Sequence, residues 1–184
     1  MGRIFIVRHG QCTDNAAGIL NGLRDSELTR RGKKQAYLAT QKLKDKNIRF
    51  IFSSWLKRHT QTAGVIGRVL GIDQIDISNL LVERDMGILT GESYKMIPVL
   101  GTEIIYHDGI NYFTKAFGAE EFPDVLERAR KILREIKTQF NPFNVLIVTS
   151  GDMVKMLRAD HFGWDWERGL RTPFIDNCGI IELI

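Results

Sequence analysis

The sequence predicts an α/β fold, a three-layer α/β/α sandwich built on a mainly parallel sheet. Short apolar runs rich in β-branched and aromatic residues recur at residues 3–7, 48–52 and 144–149. Between them lie segments whose apolar residues repeat at spacings of three and four, the period of an amphipathic helix. Strands that alternate with helices in this way imply crossover connections, which put helices on both faces of a parallel sheet. The 184 residues suit one domain with a sizeable core, and no repeat, linker or low-complexity stretch divides them, so one domain is expected over 1–184.

The elements follow in order. Arg3 to Val7 reads as a buried strand that runs directly into the polar turn Arg8-His9-Gly10. After a polar loop through Gly18, Gly22 and Asp25, Thr29 is placed to cap a helix whose Ala36, Ala39 and Leu43 share a face, with Gly32 weakening the first turn. Ile48 to Phe52 is a second strand, and Ser53 and Ser54 are read as opening a helix that runs to Leu70. Residues 75–82 read as an edge strand. Residues 83–118 carry glycine and aromatics without a clean period, and Tyr94, Tyr106, Tyr112, Phe113 and Phe117 fit either a cap over a ligand, at residues 92–118, or a small packed cluster.

From Glu120 the helical period is clear, because Phe122, Val125, Leu126, Ala129, Ile132, Leu133 and Ile136 fall on one face, and Pro142 ends the segment. Asn144 to Thr149 is a buried strand, Met153 to His161 a helix, and Gly179 to Ile184 a closing strand. Trp164 and Trp166 are expected to pack against the sheet.

Composition excludes several classes. With 43% hydrophobic and 26% charged residues the chain is neither disordered nor fibrous, and no apolar run nears the roughly 18 to 20 residues that cross a bilayer. The first residues show no secretory h-region, which makes a cytoplasmic location the expectation, with no membrane partner. Two cysteines, Cys12 and Cys178, are too few for a disulfide framework. The net charge of +4 admits nucleic acid, an anionic surface or a small anionic substrate. Arg30, Arg31, Lys33, Lys34, Lys42, Lys44 and Lys46 have only Tyr37 interleaved, so they read as a solvated helix face rather than a nucleic-acid patch.

Ligands of open α/β sheets bind at the carboxyl ends of the strands. Those ends deliver Arg8, His9 and Gly10 from the first strand, Arg58 from the helix after the second, Glu83 beyond Leu81, and Thr149, Ser150 and Gly151 from the fourth. Two arginines, a histidine and a carboxylate are the parts needed to bind a dianionic phosphoryl group, attack it and protonate its leaving oxygen.

In this arrangement VRHGQCTDN resembles the signature of the histidine phosphatase superfamily, the phosphoglycerate mutase-like family. Residues 18–36 are similar to that family's Gly, Gly, Asp, Leu-Thr, Gly, Gln-Ala spacing, SSWLKRHTQTA at 53–63 to its Ser, Leu, Arg, Gln-Thr-Ala helix, and VERDMGILTG at 82–91 to its acidic segment. Asp176-Asn177-Cys178 stands where the family often has Asn. The resemblance implies a phosphoglycerate mutase-like fold and a metal-independent phosphate monoester hydrolase with no cofactor. His9 would be the nucleophile and form a phosphohistidine, a backbone carbonyl holding its other ring nitrogen. Arg8 and Arg58 would bind the phosphoryl oxygens, and Glu83 would serve as acid and then base. Asn15, Gln11, Cys12, Gly151 and the backbone at Gly22 would line the pocket. The expected partner is a small phosphorylated substrate, and the chain itself a monomer or homodimer.

Two positions depart from the family pattern. Cys12 stands for a hydroxyl residue, a weaker donor. In VLIVTSGD, Ser150 stands for a second histidine that donates to the phosphoryl group, and loss of one such donor typically costs about a hundred- to a thousandfold in rate. Two readings follow, an enzyme slowed at Ser150 or a silent phosphate-binding module. A mutase-type phosphotransferase is a further alternative, disfavoured because the chain is short for one. His59, His107 and His161 match no motif histidine and are expected to be structural or at the surface, with His107 a remote stand-in for the missing imidazole.

Overall fold

A computed structural model describes residues 2–183; Met1 and Ile184, the latter the last residue of the expected closing strand, lie outside them. Strands β1 (Ile4–Arg8), β2 (Ile48–Ser53), β3 (Ile75–Ile77), β6 (Asn144–Thr149) and β7 (Ile180–Leu183) form one sheet in the order β3-β2-β6-β1-β7. All neighbours are parallel except β7, which runs antiparallel to β1. A separate antiparallel hairpin, β4 (Gly101–His107) and β5 (Ile110–Ala116), stands beside it. The helices are α1 (Thr13–Ala17), α2 (Arg30–Leu43), α3 (Lys57–Leu70), α4 (Ile97–Leu100), α5 (Phe122–Gln139), α6 (Gly151–Phe162) and α7 (Trp166–Leu170).

Both faces of the central strands are buried, as a parallel sheet covered by helices requires. Ile4 and Ile6 of β1 pack on one face with Val145 and Ile147 of β6 and the apolar stripe of α5, whose seven anticipated residues are all buried. Phe5, Val7, Leu146 and Val148 face the other way and meet Ala63 and Ile66 of α3 and Leu43 of α2. Truncating one of these fully buried side chains, such as Leu133→Ala, would cost about 2–5 kcal/mol.

Thr29 caps α2 as expected, its side chain accepting from the Gly32 amide at 3.0 Å. Gly32 is there for closeness rather than flexibility: a Cβ on it would lie 2.1 Å from the Gln11 carbonyl oxygen, and one on Gly10 2.5 Å from the Gly32 carbonyl oxygen. Backbone-to-backbone packing of this kind seats the start of α2 against the turn that carries His9.

Two expected boundaries are corrected. The helix after β2 opens at Lys57, not at Ser53, because Ser53 still pairs with Val148 and Ile77 in the sheet. The third strand ends at Ile77, where the Ser78 side chain caps a 3-10 turn over Asn79–Leu81. Within 83–118 the unpredicted elements are α4 and the hairpin, whose turn is Asp108-Gly109, both at positive φ; Asp-Gly is the turn sequence such hairpins prefer. Trp166 stacks on Phe122 of α5 and Trp164 on Phe162 of α6, and both pack against the core cluster that includes Ile4, Ile6, Val145 and Ile147 of the sheet.

Candidate active site

Strands β1 and β6 are in register with Arg8 opposite Thr149, so their next residues, His9 and Ser150, emerge together at the carboxyl edge of the sheet. His9 is 2% exposed. Its Nδ1 lies 2.7 Å from the Gly10 carbonyl oxygen, an acceptor only, so Nδ1 carries the hydrogen and Nε2 the lone pair. Burial first, then the charges of Arg58 and Arg8, hold the imidazole pKa well below its ordinary 6.5, against the Gly10 hydrogen bond. The ring is therefore neutral at pH 7.

Arg58 enters from the first turn of α3 and is fully buried, its Nη1 donating to the Arg24 carbonyl at 2.6 Å and its Nη2 to the Gly22 carbonyl at 2.9 Å. Arg8 donates through Nη1 to the Ile175 carbonyl at 2.7 Å and lies over the Phe174 ring at 4.7 Å. The Nε of each arginine is buried without a hydrogen-bond partner. Two guanidinium groups anchored to backbone and still holding unmatched donors suit a tetrahedral dianion. The Thr62 hydroxyl accepts the Gly10 amide at 3.0 Å and donates to the Arg58 carbonyl, joining the nucleophile's turn to α3.

Glu83 is buried, with Oε1 accepting the Arg84 amide at 2.9 Å. Burial, followed by the nearby charge of Asp152, pushes its pKa up to about 7, while that amide and the charges of Arg58 and Arg84 pull the other way. An ion pair with Arg84 is not what holds Glu83. The Arg84 guanidinium instead donates to Asp152 at 3.0 Å and to the Phe113 carbonyl, and lies between the rings of Phe113 and Phe122 at 4.0 and 4.2 Å.

A cavity of about 450 Å³ opens over this group. Of the residues expected at the site, Arg8, His9, Glu83, Asn15 and Gly151 line it. Arg58, Ser150, Gln11, Cys12 and Gly22 border this group without being among the residues that line the cavity itself. Gln11 receives the Thr29 hydroxyl at 2.9 Å, the buried Cys12 sulfur receives Asn21 Nδ2 at 3.2 Å, and Gly22 offers its carbonyl to Arg58. The rest of the lining combines Leu20, Met86, Ile97, Ile110, Tyr112 and Phe113 with the more polar Asn21, Tyr94 and Asn111. Asn177 Nδ2 donates to the His9 carbonyl at 3.0 Å and to Asn15 Oδ1 at 3.3 Å.

Sequence reasoning placed no function on Asp152, Asn21, Arg84 or His59. Asp152 and Arg84 are sequence neighbours of Ser150 and Glu83, the only signal that singles them out. His59, expected to be structural or at the surface, is fully buried: its ring centroid lies 5.3 Å from that of His9, and its Nε2 is 2.6 Å from Ser150 Oγ. His107 does not take the part of a stand-in, since it pairs with Asp108 at the tip of the hairpin, at 3.4 Å.

A neutral imidazole with a free lone pair, two guanidinium groups and a carboxyl group that titrates near neutrality can bind a phosphoryl dianion, attack it and move one proton. The family model of the histidine phosphatase superfamily (branch 1) matches residues 4–184. The protein named "Putative phosphoserine phosphatase 2" from Hydrogenobacter thermophilus is 29% identical over the full chain and 89% of its own length. The "Probable phosphoglycerate mutase GpmB" of Photorhabdus laumondii is 39% identical over 87 residues, 47% of this chain and 40% of that protein. Among solved structures, a mycobacterial glucosyl-3-phosphoglycerate phosphatase in complex with VO3 superposes with a TM-score of 0.84 at 23% identity, over 99% of this chain and 92% of that one. A phosphoserine phosphatase from Entamoeba histolytica, in complex with 3-phosphoglyceric acid, gives 0.82 at 23% identity, over 100% and 91%. No helix among the described residues is long and apolar enough to cross a membrane. The match over residues 4–184 and the fold shared with these phosphatases make the chain a member of the histidine phosphatase superfamily.

Proposed function

We propose that the chain hydrolyses small phosphate monoesters through a phosphohistidine at His9. The observation that carries this reading is the 2.7 Å contact of His9 Nδ1 with the Gly10 carbonyl, which leaves Nε2 unprotonated beside two arginines. In the first step Nε2 attacks phosphorus, the bond to the ester oxygen breaks, and the Glu83 carboxyl gives its proton to the departing alkoxide. In the second, the Glu83 carboxylate takes a proton from water, whose oxygen attacks phosphorus and releases phosphate and the neutral imidazole. Arg8 and Arg58 stay charged throughout and hold the equatorial oxygens, the contribution that dominates phosphoryl transfer.

The cavity also bears on the alcohol. Among the described residues, the arginines that line it are Arg8, assigned to phosphate, and Arg84, whose charge is already met by Asp152. The remaining wall is largely apolar, and Asp152 itself lines the cavity. This favours esters of neutral, apolar alcohols over carboxylated ones such as phosphoserine or phosphoglycerate, with residues 92–118 acting as the cap that meets the alcohol. Turnover of p-nitrophenyl phosphate by the native chain, reduced to background by His9→Ala, is the expected result. Undiminished turnover by His9→Ala, or none by the native chain, overturns the proposal.

A further inference from the structure

Ser150 stands where the family resemblance calls for a second imidazole, and an imidazole reaches that place from a different element. His59, next to Arg58 in the first turn of α3, crosses to β6 and approaches the Ser150 hydroxyl, with Nε2 and Oγ 2.6 Å apart across 91 residues of sequence. On its other side His59 Nδ1 lies 2.6 Å from the hydroxyl of Ser54, at the end of β2. Ser54, His59 and Ser150 are all fully buried. They make a continuous line of two short hydrogen bonds that ends beside the nucleophile.

The direction of that line follows from where an unshared hydroxyl hydrogen can find a partner. Ser54 Oγ accepts the Leu56 amide at 3.2 Å, and among the described residues its hydrogen has no acceptor but His59 Nδ1; pointing it there leaves the unshared hydrogen on Ser150, beside the nucleophile, where a ligand can take it, rather than on Ser54. Burial, with the charges of Arg58 and His9, lowers the His59 pKa well below 6.5, which keeps the ring neutral with a single ring hydrogen. With Nδ1 accepting, that hydrogen sits on Nε2 and is donated to Ser150 Oγ. The Ser150 side chain makes no cap hydrogen bond to α6, and its own hydroxyl hydrogen has no other acceptor among the described residues. It is left as a donor at the carboxyl edge of β6, where the buried Nε atoms of Arg8 and Arg58 are likewise without partners.

We propose, on the reading of His9 as nucleophile, that His59 is a positioning residue: it holds the Ser150 hydroxyl as the third donor to the phosphoryl group, and the two residues together replace the imidazole that the family carries at position 150. A serine alone would be a short side chain with a freely rotating donor. Fixing its oxygen from behind by a rigid ring removes that freedom before substrate arrives, the preorganisation on which this kind of catalysis depends.

The test is a double-mutant cycle on p-nitrophenyl phosphate with Ser150→Ala, His59→Ala and the pair, plus His59→Gln, whose amide places an N–H close to where Nε2 stands. The donor acts on charge that develops in the transition state, so each single change is expected to lower kcat by about a hundredfold with little change in KM. The double variant should fall no further than the worse single one, and His59→Gln should regain most of the loss. Multiplying losses, no rescue by His59→Gln, or a Ser150→Ala enzyme within about twofold of the native kcat would each overturn the inference. Should His59→Ala fail to fold, as judged by its thermal melt, Ser150→Ala and His59→Gln carry the test. A native enzyme that turns over and loses activity with His9→Ala, yet is indifferent to both Ser150→Ala and His59→Gln, refutes this inference alone. A native enzyme without turnover refutes the phosphatase reading.

Discussion

At the strand ends, Arg8, His9 and Arg58 are each tied to a backbone carbonyl at 2.6–2.9 Å, and His59 is held on both sides by serine hydroxyls. Across the cavity, β4 and β5 pair only with each other and leave Ile104, Tyr106 and Phe117 exposed. An isolated hairpin is marginal by itself, and this one is fastened by the Arg84 guanidinium at the Phe113 carbonyl, by the cluster of Leu20, Met86, Leu89, Ile97 and Phe113, and by Ile105 and Tyr112 against the main core. The difference divides the labour. On the proposed mechanism, the groups assigned to phosphate are anchored at the ends of the sheet strands and in the first turn of α3, whereas the wall assigned to the alcohol is borne by a separate hairpin.

Substitutions at the two ends should therefore fail in different ways. The largest effect after loss of His9 is expected from Glu83→Gln, which keeps the shape but cannot give a proton. On alkyl phosphates kcat should fall by about a hundred- to ten-thousandfold. The first step on p-nitrophenyl phosphate should suffer less, since nitrophenolate leaves without one, and comparing single-turnover rates on the two substrates checks this. Equal losses would remove Glu83 from the role of acid.

A smaller effect is expected from Asp152→Asn. The Asp152 charge raises the Glu83 pKa, and Asp152 also neutralises Arg84, so its removal lowers that pKa on both counts. On the proposed mechanism Glu83 is protonated for the first step, so with its pKa raised to about 7 an alkaline limb of the rate profile is expected near neutrality. In Asp152→Asn that limb should move to lower pH, as read from kcat/KM against pH on an alkyl ester. A limb that stays in place or moves up would sever the link. The smallest effect belongs to the hairpin. Ile110→Ala should lower kcat/KM about tenfold for a bulky apolar ester and leave methyl phosphate unaffected. A loss common to both substrates would show that the hairpin serves the chemistry and not the alcohol.

The same division decided what was legible in the sequence. The turn after β1, the first turn of α3 and the stripe of α5 are written in consecutive residues or at a fixed period, so motif and periodicity reach them directly. The hairpin is not written that way, because its register shifts between Gly101 and Glu103 and again before Ile104 break the alternation that marks a strand. Its Asp-Gly turn was the one readable sign. The contact of His59 with Ser150 was out of reach for another reason: it depends on β2 and β6 lying side by side, a matter of strand order rather than of either motif. Read singly, Ser150 marks a loss and His59 a stray imidazole. Only the fold brings the two together, with His59 Nε2 at 2.6 Å from Ser150 Oγ.

The proposed mechanism turns on Nε2 of His9 as the atom that bonds to phosphorus. Rapid quench of the native chain with a 32P-labelled aryl phosphate, followed by peptide mapping, tests this most directly. The expected product is an acid-labile, alkali-stable label on the peptide bearing His9, formed and lost at rates that account for turnover and absent from His9→Ala. Steady turnover with no labelled enzyme under conditions where dephosphorylation is slow, or a label on any other residue, would contradict it.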